Sequence, residues 1–247
     1  MNIVRCENVK KHFPIRRGYL MQAEGSVRAV DGVSLEVTKG ESFGLVGESG
    51  CGKTTLGKII LGILKPDSGR IELATSKVQV IFQDPYNSLD PKMRVRDILS
   101  EGLILSRLNL NNINRVEEVL DLVKLPRSAF AKYPHQFSGG ERQRIAIARA
   151  VLTEPEFIVC DEPVSNLDVT IQLQILKLLK DIQRRLSATY LFISHDLRVI
   201  RYMCSRVAVM KDGRIVEEGD TANLYSNPNH PYTRQLLSSI LDAYLRV

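Results

Sequence analysis

The sharpest chemical signal in this 247-residue sequence is the run Gly47-Glu48-Ser49-Gly50-Cys51-Gly52-Lys53-Thr54-Thr55. Four residues separate Gly47 from Gly52, and a lysine and a hydroxyl residue follow, which is the spacing of a phosphate-binding loop. Glycines let consecutive backbone N–H groups converge on phosphate oxygens, and a helix opening at the end of the loop adds the positive pole of its dipole. Lys53 can then reach β- and γ-phosphates, and Thr54 can offer an oxygen to Mg²⁺. The competing interpretation is a glycine-rich turn with no ligand; a strand before the loop and a helix after it favour the phosphate site. A second signal is Phe157-Ile158-Val159-Cys160-Asp161-Glu162. An apolar strand delivers Asp161 beside the metal, and Glu162 follows where it can polarise an attacking water. Paired acids also occur in plain acidic turns, so the upstream loop decides between the two. The third is Phe137-Ser138-Gly139-Gly140-Glu141-Arg142-Gln143, where Ser-Gly-Gly opens a helix. A hydroxyl, close backbone approach and a helix dipole make a second anion site, or Ser138 serves only as an N-cap. Two anion-binding helix starts in one chain point to one nucleotide clamped between two chains.

These residues need elements to hold them. The first 46 residues read as strands: Val27–Val37 is rich in β-branched residues, and Thr38-Lys39-Gly40 turns into Glu41–Val46. From Lys53 to Leu64 the period becomes helical, with Leu56, Ile59, Ile60 and Ile63 on one face, and Pro66-Asp67-Ser68-Gly69 closes it as a turn. Short β-like runs follow at Arg70–Leu73 and Val78–Phe82. From about 84 to 152 the sequence is punctuated by Pro85, Pro91, Pro126 and Pro134, and helical spacing dominates between them, as at Ile113, Val116, Leu120 and Val123. This predicts a helical subdomain inserted into an α/β core. The core resumes with strand Phe157–Cys160, helix Val169–Leu186, strand Tyr190–Ser194, helix Leu197–Met203 and strand Val207–Met210. Alternation at this spacing predicts a mostly parallel sheet within one domain spanning 1–247.

Composition narrows the classes. Hydrophobic residues at 44% and charged residues at 25% are ordinary for a globular chain and exclude disorder and collagen-like sequence. The longest greasy run, Ile59–Leu64, falls far short of the ~20 residues of a spanning helix. The N-terminal segment has no apolar core of signal-peptide length, so we expect a chain that stays where it is made. Cys6, Cys51, Cys160 and Cys204 form no CxxC pair, which argues against a zinc knuckle or redox couple and fits a reducing cytosol. The net charge of +6 permits contact with nucleic acid, but the positives are interspersed with acids, and Trp is absent, so we expect no nucleic-acid partner.

Taken together, the phosphate loop at 47–55, Gln83, the segment 137–141, Asp161-Glu162, Ser165-Asn166-Leu167-Asp168 and His195 resemble the nucleotide-binding subunits of ATP-binding cassette (ABC) transporters, in that family's order and separations. The resemblance runs along nearly the whole chain. It implies a P-loop NTPase core with an N-terminal antiparallel β subdomain and an inserted helical subdomain, an ATPase using Mg²⁺, and a head-to-tail dimer. Each ATP would be held by the phosphate loop of one chain and by Ser138, Gly139, Gly140 and Glu141 of the other. Gln83 would contact Mg²⁺ and the attacking water, with Thr54 and Asp161 as the other metal contacts. His195 would hydrogen-bond the γ-phosphate and hold the geometry of water and Glu162. Ser165 to Asp168 would form a dimer-interface loop. Phe13 would stack on adenine, with Tyr19 as the alternative and a core aromatic as the bland one.

A narrower resemblance lies in the tail at 213–247, where Asn227-Pro228-Asn229-His230-Pro231-Tyr232-Thr233 and, earlier, the segment 81–91 look like the ATPase subunits of dipeptide, oligopeptide and nickel importers. It implies integral membrane permease subunits as partners and a second ATPase chain, in a heterodimer more than a homodimer. It further implies an extracytoplasmic substrate-binding protein acting indirectly, and a place at the cytoplasmic face of the membrane. A groove near Gln83, around Tyr86 to Leu89, would receive the permease. The chain departs from the family at Phe137, Glu141 and Asn166, where Leu, Gln and Ala are more usual, and the stretch from Gly69 to Gln83 is short. No cysteine lies beyond Cys204, so no C-terminal iron–sulfur cluster is expected. The rivals are another class of ABC transporter ATPase and a soluble cassette acting on ribosomes or DNA.

Overall fold

The structure, a computed structural model, describes residues 1–17, 22–84, 88–105 and 113–244. The chain divides into two compact units, Met1–Ser76 with Leu191–Val247, and Lys77–Tyr190.

The first unit opens with two long strands, β1 (Asn2–Arg17) and β2 (Gln22–Thr38), followed by β3 (Ser42–Val46), α1 (Lys53–Ile60) and β4 (Ser68–Leu73). β1 pairs antiparallel with both β2 and β4 in a three-stranded sheet of order β2-β1-β4. β2 alternates as a one-sided strand must: Val33, Leu35 and Val37 are buried while Ser34 and Glu36 are exposed. β3 differs, being buried at every residue. α1 ends earlier than its hydrophobic period suggests. Leu61 caps it, Gly62 turns the chain at φ +71°, and Ile63, expected on the apolar face, is 59% exposed.

The second unit contains β5 (Val78–Ile81), α2 (Val95–Leu105), α3 (Ile113–Leu122), two short 3₁₀ turns at Arg127–Ala131 and Pro134–Gln136, α4 (Gly139–Val151), β6 (Phe157–Asp161) and α5 (Val169–Leu186). Between β5 and β6 the described residues form helices and turns, as the sequence predicts. Val116, Leu120 and Val123 are buried on the face foreseen for them. α4 packs against β5 and α5, and α5 buries Ile175, Leu176, Leu178, Leu179 and Ile182. Its bounds coincide with the predicted helix because Asp168 caps its start and Ser187 ends it in a left-handed conformation at φ 52°.

The chain returns to the first unit within β7 (Thr189–Ser194) and continues through α6 (Leu197–Met203), β8 (Arg206–Lys211), β9 (Arg214–Asp220), α7 (Thr221–Ser226) and α8 (Pro231–Tyr244). Here the strand order is β7-β3-β8-β9, with β8 parallel to β3 and β9 antiparallel to β8. The expected mostly parallel sheet therefore carries an antiparallel edge, formed by the first part of the tail. The architecture is α/β, with an antiparallel β subdomain, a mixed sheet and helices. No helix among the described residues is long and apolar enough to cross a membrane.

Candidate functional site

In the first unit, β3 runs directly into the phosphate loop, and the backbone there tolerates only glycine at two points. Gly47 has φ +153°, and a Cβ on it would sit 2.1 Å from the Met210 carbonyl oxygen. Gly52 has φ +110°, and its Cβ would fall 1.9 Å from the Ala29 oxygen. Lys53, the first residue of α1, is 5% exposed, and its ammonium donates to the carbonyls of Gly47 at 2.7 Å and Glu48 at 2.8 Å. Glu48, Ser49, Gly50 and Thr54 are exposed, Gly52 and Thr55 half-buried, and Cys51 is buried. Burial pushes the Cys51 thiol above its ordinary pKa, against the opposing pull of Lys53.

The start of α1 differs from those of four other helices. α4, α5, α6 and α7 each have a first-turn amide taken by a side chain, from Ser138, Asp168, Asp196 and Asp220 respectively. α1 is preceded by Gly52 and has no side-chain cap. A helix start preceded by a glycine with no side-chain cap, beside a lysine, is a receptive place for an external anion.

His195 follows β7, the neighbour of β3, and is exposed; the next residue, Asp196, receives the Arg198 amide at 2.8 Å and caps α6. Phe13 pairs with Val27 across β1 and β2 and is 40% exposed, so it is no core aromatic. Lys11 lies 5.8 Å from its ring centroid. Tyr19 lies outside the described residues, as do Tyr86 and Asn87 of the expected permease groove; Leu89 is buried.

In the second unit, β5 and β6 run parallel with Ile81 opposite Cys160. That register brings Gln83, which is exposed, and Asp161, which is buried, to the same end of neighbouring strands. Glu162 follows Asp161 at φ 49°, a left-handed conformation that costs a non-glycine residue about 1–2 kcal/mol. Strain of this kind is characteristic of functional turns. The carbonyl of Glu162 is gripped by the Ser165 hydroxyl at 3.1 Å and the Ser165 amide at 3.3 Å. Gln172 secures the next turn through the carbonyls of Val164 and Leu167 at 3.0 and 2.9 Å, and Asp168 accepts the Ile171 amide at 3.0 Å. Ser165, Asn166, Leu167 and Asp168 thus form an ordered turn.

Ser138 does cap α4, and reciprocally. Its hydroxyl accepts the Glu141 amide at 3.3 Å, while the Glu141 carboxylate accepts the Ser138 amide and hydroxyl, each at 2.9 Å. Those bonds hold the Glu141 carboxyl below the usual range. Gly140 meets α5 closely: a Cβ there would lie 2.6 Å from Ile171 Cγ2, whereas one on Gly139 would find Leu167 Cδ2 at an ordinary 3.5 Å.

Sequence reasoning missed Tyr232, whose hydroxyl accepts the Glu48 amide at 3.2 Å from 184 residues along the chain. Nothing local could have disclosed it.

The sequence of the ABC transporter family matches residues 30–165, and that of the oligopeptide/dipeptide transporter C-terminal region matches 216–244. Relatives include the oligopeptide transport ATP-binding protein OppF of Lactococcus lactis, 45% identical over 96% of this chain and 80% of its own length. AppF of Bacillus subtilis, another oligopeptide transport ATP-binding protein, is 45% identical over 96% of this chain and 78% of its own. Among solved structures, cbiO1 of Clostridium perfringens, part of an ABC transporter complex, is 28% identical with a TM-score of 0.77, covering 92% of this chain and 91% of its own. The cassette MJ0796, a dimer in a post-hydrolysis state bound to ADP and Pi, is 27% identical with a TM-score of 0.77, covering 88% of this chain and 98% of its own. The match covers more than half of the sequence in the cassette and continues into the tail: the chain belongs to the ABC transporter family of ATP-binding proteins.

Proposed function

We propose that this chain is the ATP-hydrolysing subunit of an importer for oligopeptides, working at the cytoplasmic face of the membrane through separate permease subunits. The observation that carries the nucleotide half is the uncapped start of α1, with Lys53 held over the phosphate loop. The tail region at 216–244 and relatives named for oligopeptide transport favour peptides over nickel.

In this reading Gly47 to Thr55 receive the triphosphate, and Lys53 bridges from its loop carbonyls to the β- and γ-oxygens. Phe13, exposed on its strand, stacks on adenine. Glu162 takes the proton of the attacking water, and His195 and Gln83 orient that water. Thr54, Gln83 and Asp161 offer a hydroxyl, an amide oxygen and a carboxylate, the hard oxygen donors that suit Mg²⁺. When bound, Mg²⁺ would neutralise charge on the β- and γ-phosphates.

A second ATPase chain completes the site with its own Ser138 to Glu141. The residues after Asp168 support an interface there, since Val169 is 78% and Leu173 45% exposed on α5, next to the ordered turn. ATP, bound by the closed pair better than by the open one, converts binding into motion of the permease.

The test is a pull-down from solubilised membranes with tagged Glu162→Gln, ATP and Mg²⁺. Losing the base should lower turnover on the order of 10²–10⁴-fold while leaving ATP bound, which traps the closed pair. Two integral membrane proteins and a second ATPase should be recovered. Ribosomes or nucleic acid without a membrane partner would overturn the importer.

A further inference from the structure

The phosphate loop and the tail motif meet at one peptide group. The carbonyl of Gly47 accepts from Lys53 Nζ at 2.7 Å, and the N–H of the same peptide, on Glu48, donates to Tyr232 Oη at 3.2 Å. In a trans peptide the two groups point in opposite directions, so a single plane is gripped from both sides. The ammonium pulls on the oxygen, and the hydroxyl takes up the hydrogen bond that this polarisation strengthens. Rotation of the plane would carry the carbonyl away from Lys53.

Tyr232 is built to hold its place. Its side chain is 4% exposed, with Lys211 Nζ 4.6 Å from the ring centroid. The tail before it is tied to β9: the Glu217 carboxylate accepts the amides of Asn229 at 2.8 Å and His230 at 3.0 Å. His230 Nδ1 accepts the Tyr232 amide at 3.2 Å, and Arg234 donates back to the carbonyls of Pro228 and Asn229 at 2.9 and 3.2 Å. Burial raises the pKa of the phenol, which therefore keeps its proton at neutral pH. A residue needed only to fill this space could be phenylalanine; the hydroxyl is what reaches the loop.

We propose that Tyr232 is a positioning residue for nucleotide binding, through which the C-terminal tail fixes the Gly47–Glu48 peptide and with it the presentation of Lys53. The tail segment at 227–233 is then part of the phosphate site's support as well as a mark of the subgroup. This rests on the ATP-binding reading above and assigns that site a control point in the tail.

The test compares the full chain with Tyr232→Phe in three measurements: MgATP affinity by calorimetry, hydrogen exchange of the loop peptide without nucleotide, and thermal unfolding. The variant keeps the ring, so its melting temperature should stay close to wild type. Its Kd for MgATP should rise about fivefold to tenfold, ~1–1.4 kcal/mol. The loop amides should exchange severalfold faster even with no nucleotide present. Unchanged affinity with unchanged exchange overturns the proposal and leaves Tyr232 a core side chain. If Tyr232→Phe does not fold, Glu217→Gln, which loosens the segment but keeps the hydroxyl, should shift affinity in the same direction by less; no shift overturns it equally. A wild-type chain that binds no MgATP brings down the nucleotide reading itself, a different result from a variant indistinguishable from a binding wild type.

Discussion

Gly139 and Gly140 are neighbours at the start of α4, yet the same substitution should act oppositely at the two positions. An alanine in place of glycine favours a helix by about 0.5–1 kcal/mol. At Gly139 the new methyl meets only Leu167 Cδ2 at 3.5 Å, so that gain is nearly free of opposition. At Gly140 it would lie 2.6 Å from Ile171 Cγ2, roughly 1 Å inside ordinary contact. The clash is with a branched carbon on a facing helix, so relief requires α4 and α5 to separate locally. Overpacking of this size costs about 1–3 kcal/mol. The net expectation is Gly139→Ala stabilised by about 0.5–1 kcal/mol and Gly140→Ala destabilised by about 1–2 kcal/mol. Urea unfolding of both variants, compared at their midpoints, measures the difference. Adding Ile171→Ala supplies the control: in the double variant the Gly140→Ala loss should shrink by ~1 kcal/mol, a coupling only touching residues show. If Gly140→Ala is as stable as Gly139→Ala, the close approach of α4 to α5 does not explain the second glycine. ATP turnover separates packing from chemistry, since Gly139→Ala should impair turnover without any loss of stability if this helix start receives the γ-phosphate.

The Cys51 thiol yields a further expectation. Its raised pKa keeps it mostly protonated at neutral pH, so alkylation should be slow at pH 7 and accelerate steadily as the pH rises. ATP should protect, and Cys51→Ala should abolish the ATP-protected labelling; protection that persists in that variant points to another thiol.

What could be read from the sequence was local. The strand–loop–helix that carries Gly47 to Thr55 was legible because its glycines and lysine stand at fixed spacing, and the strand before Asp161 because a buried apolar run announces itself. α5 was legible to the residue, since a hydrophobic period, an aspartate cap and a left-handed stop all act within it. The end of α1 was misread because Ile63 continues the period while Gly62 breaks the backbone before it. β9 escaped because Val216-Glu217-Glu218-Gly219 lacks a strand's alternation, and its pairing to β8 is a tertiary matter. Phe13 could not be judged as core or surface until its pairing with exposed Val27 was seen. Tyr232 is the extreme case, a partner of the phosphate loop whose role depends wholly on where the tail folds back.

The two helix starts read as anion sites turn out to be in different conditions, and the difference is testable. At α1 the preceding residue, Gly52, supplies no side-chain cap, whereas at α4 the Glu141 carboxylate already receives the Ser138 amide and hydroxyl. A phosphate arriving at Ser138 must therefore compete with a carboxylate of the same charge. Glutamine at 141 keeps an acceptor oxygen for the capping box but removes that charge. Glu141→Gln should accordingly strengthen ATP-dependent pairing of chains, measured by sedimentation at low salt, where charge repulsion is least screened. Its effect on stability has the opposite sign. A carboxyl whose pKa is lowered by folding stabilises at pH values above its unfolded pKa of about 4.3, and that contribution is lost as the pH falls through the lower folded value. The variant should thus be slightly less stable than wild type at pH 7, by ~0.5 kcal/mol for a surface cap, and the gap should close below about pH 4. Weaker pairing in Glu141→Gln would mean that the carboxylate assists the phosphate site rather than competing with its ligand, and that the helix start of α4 receives its anion without displacing Glu141.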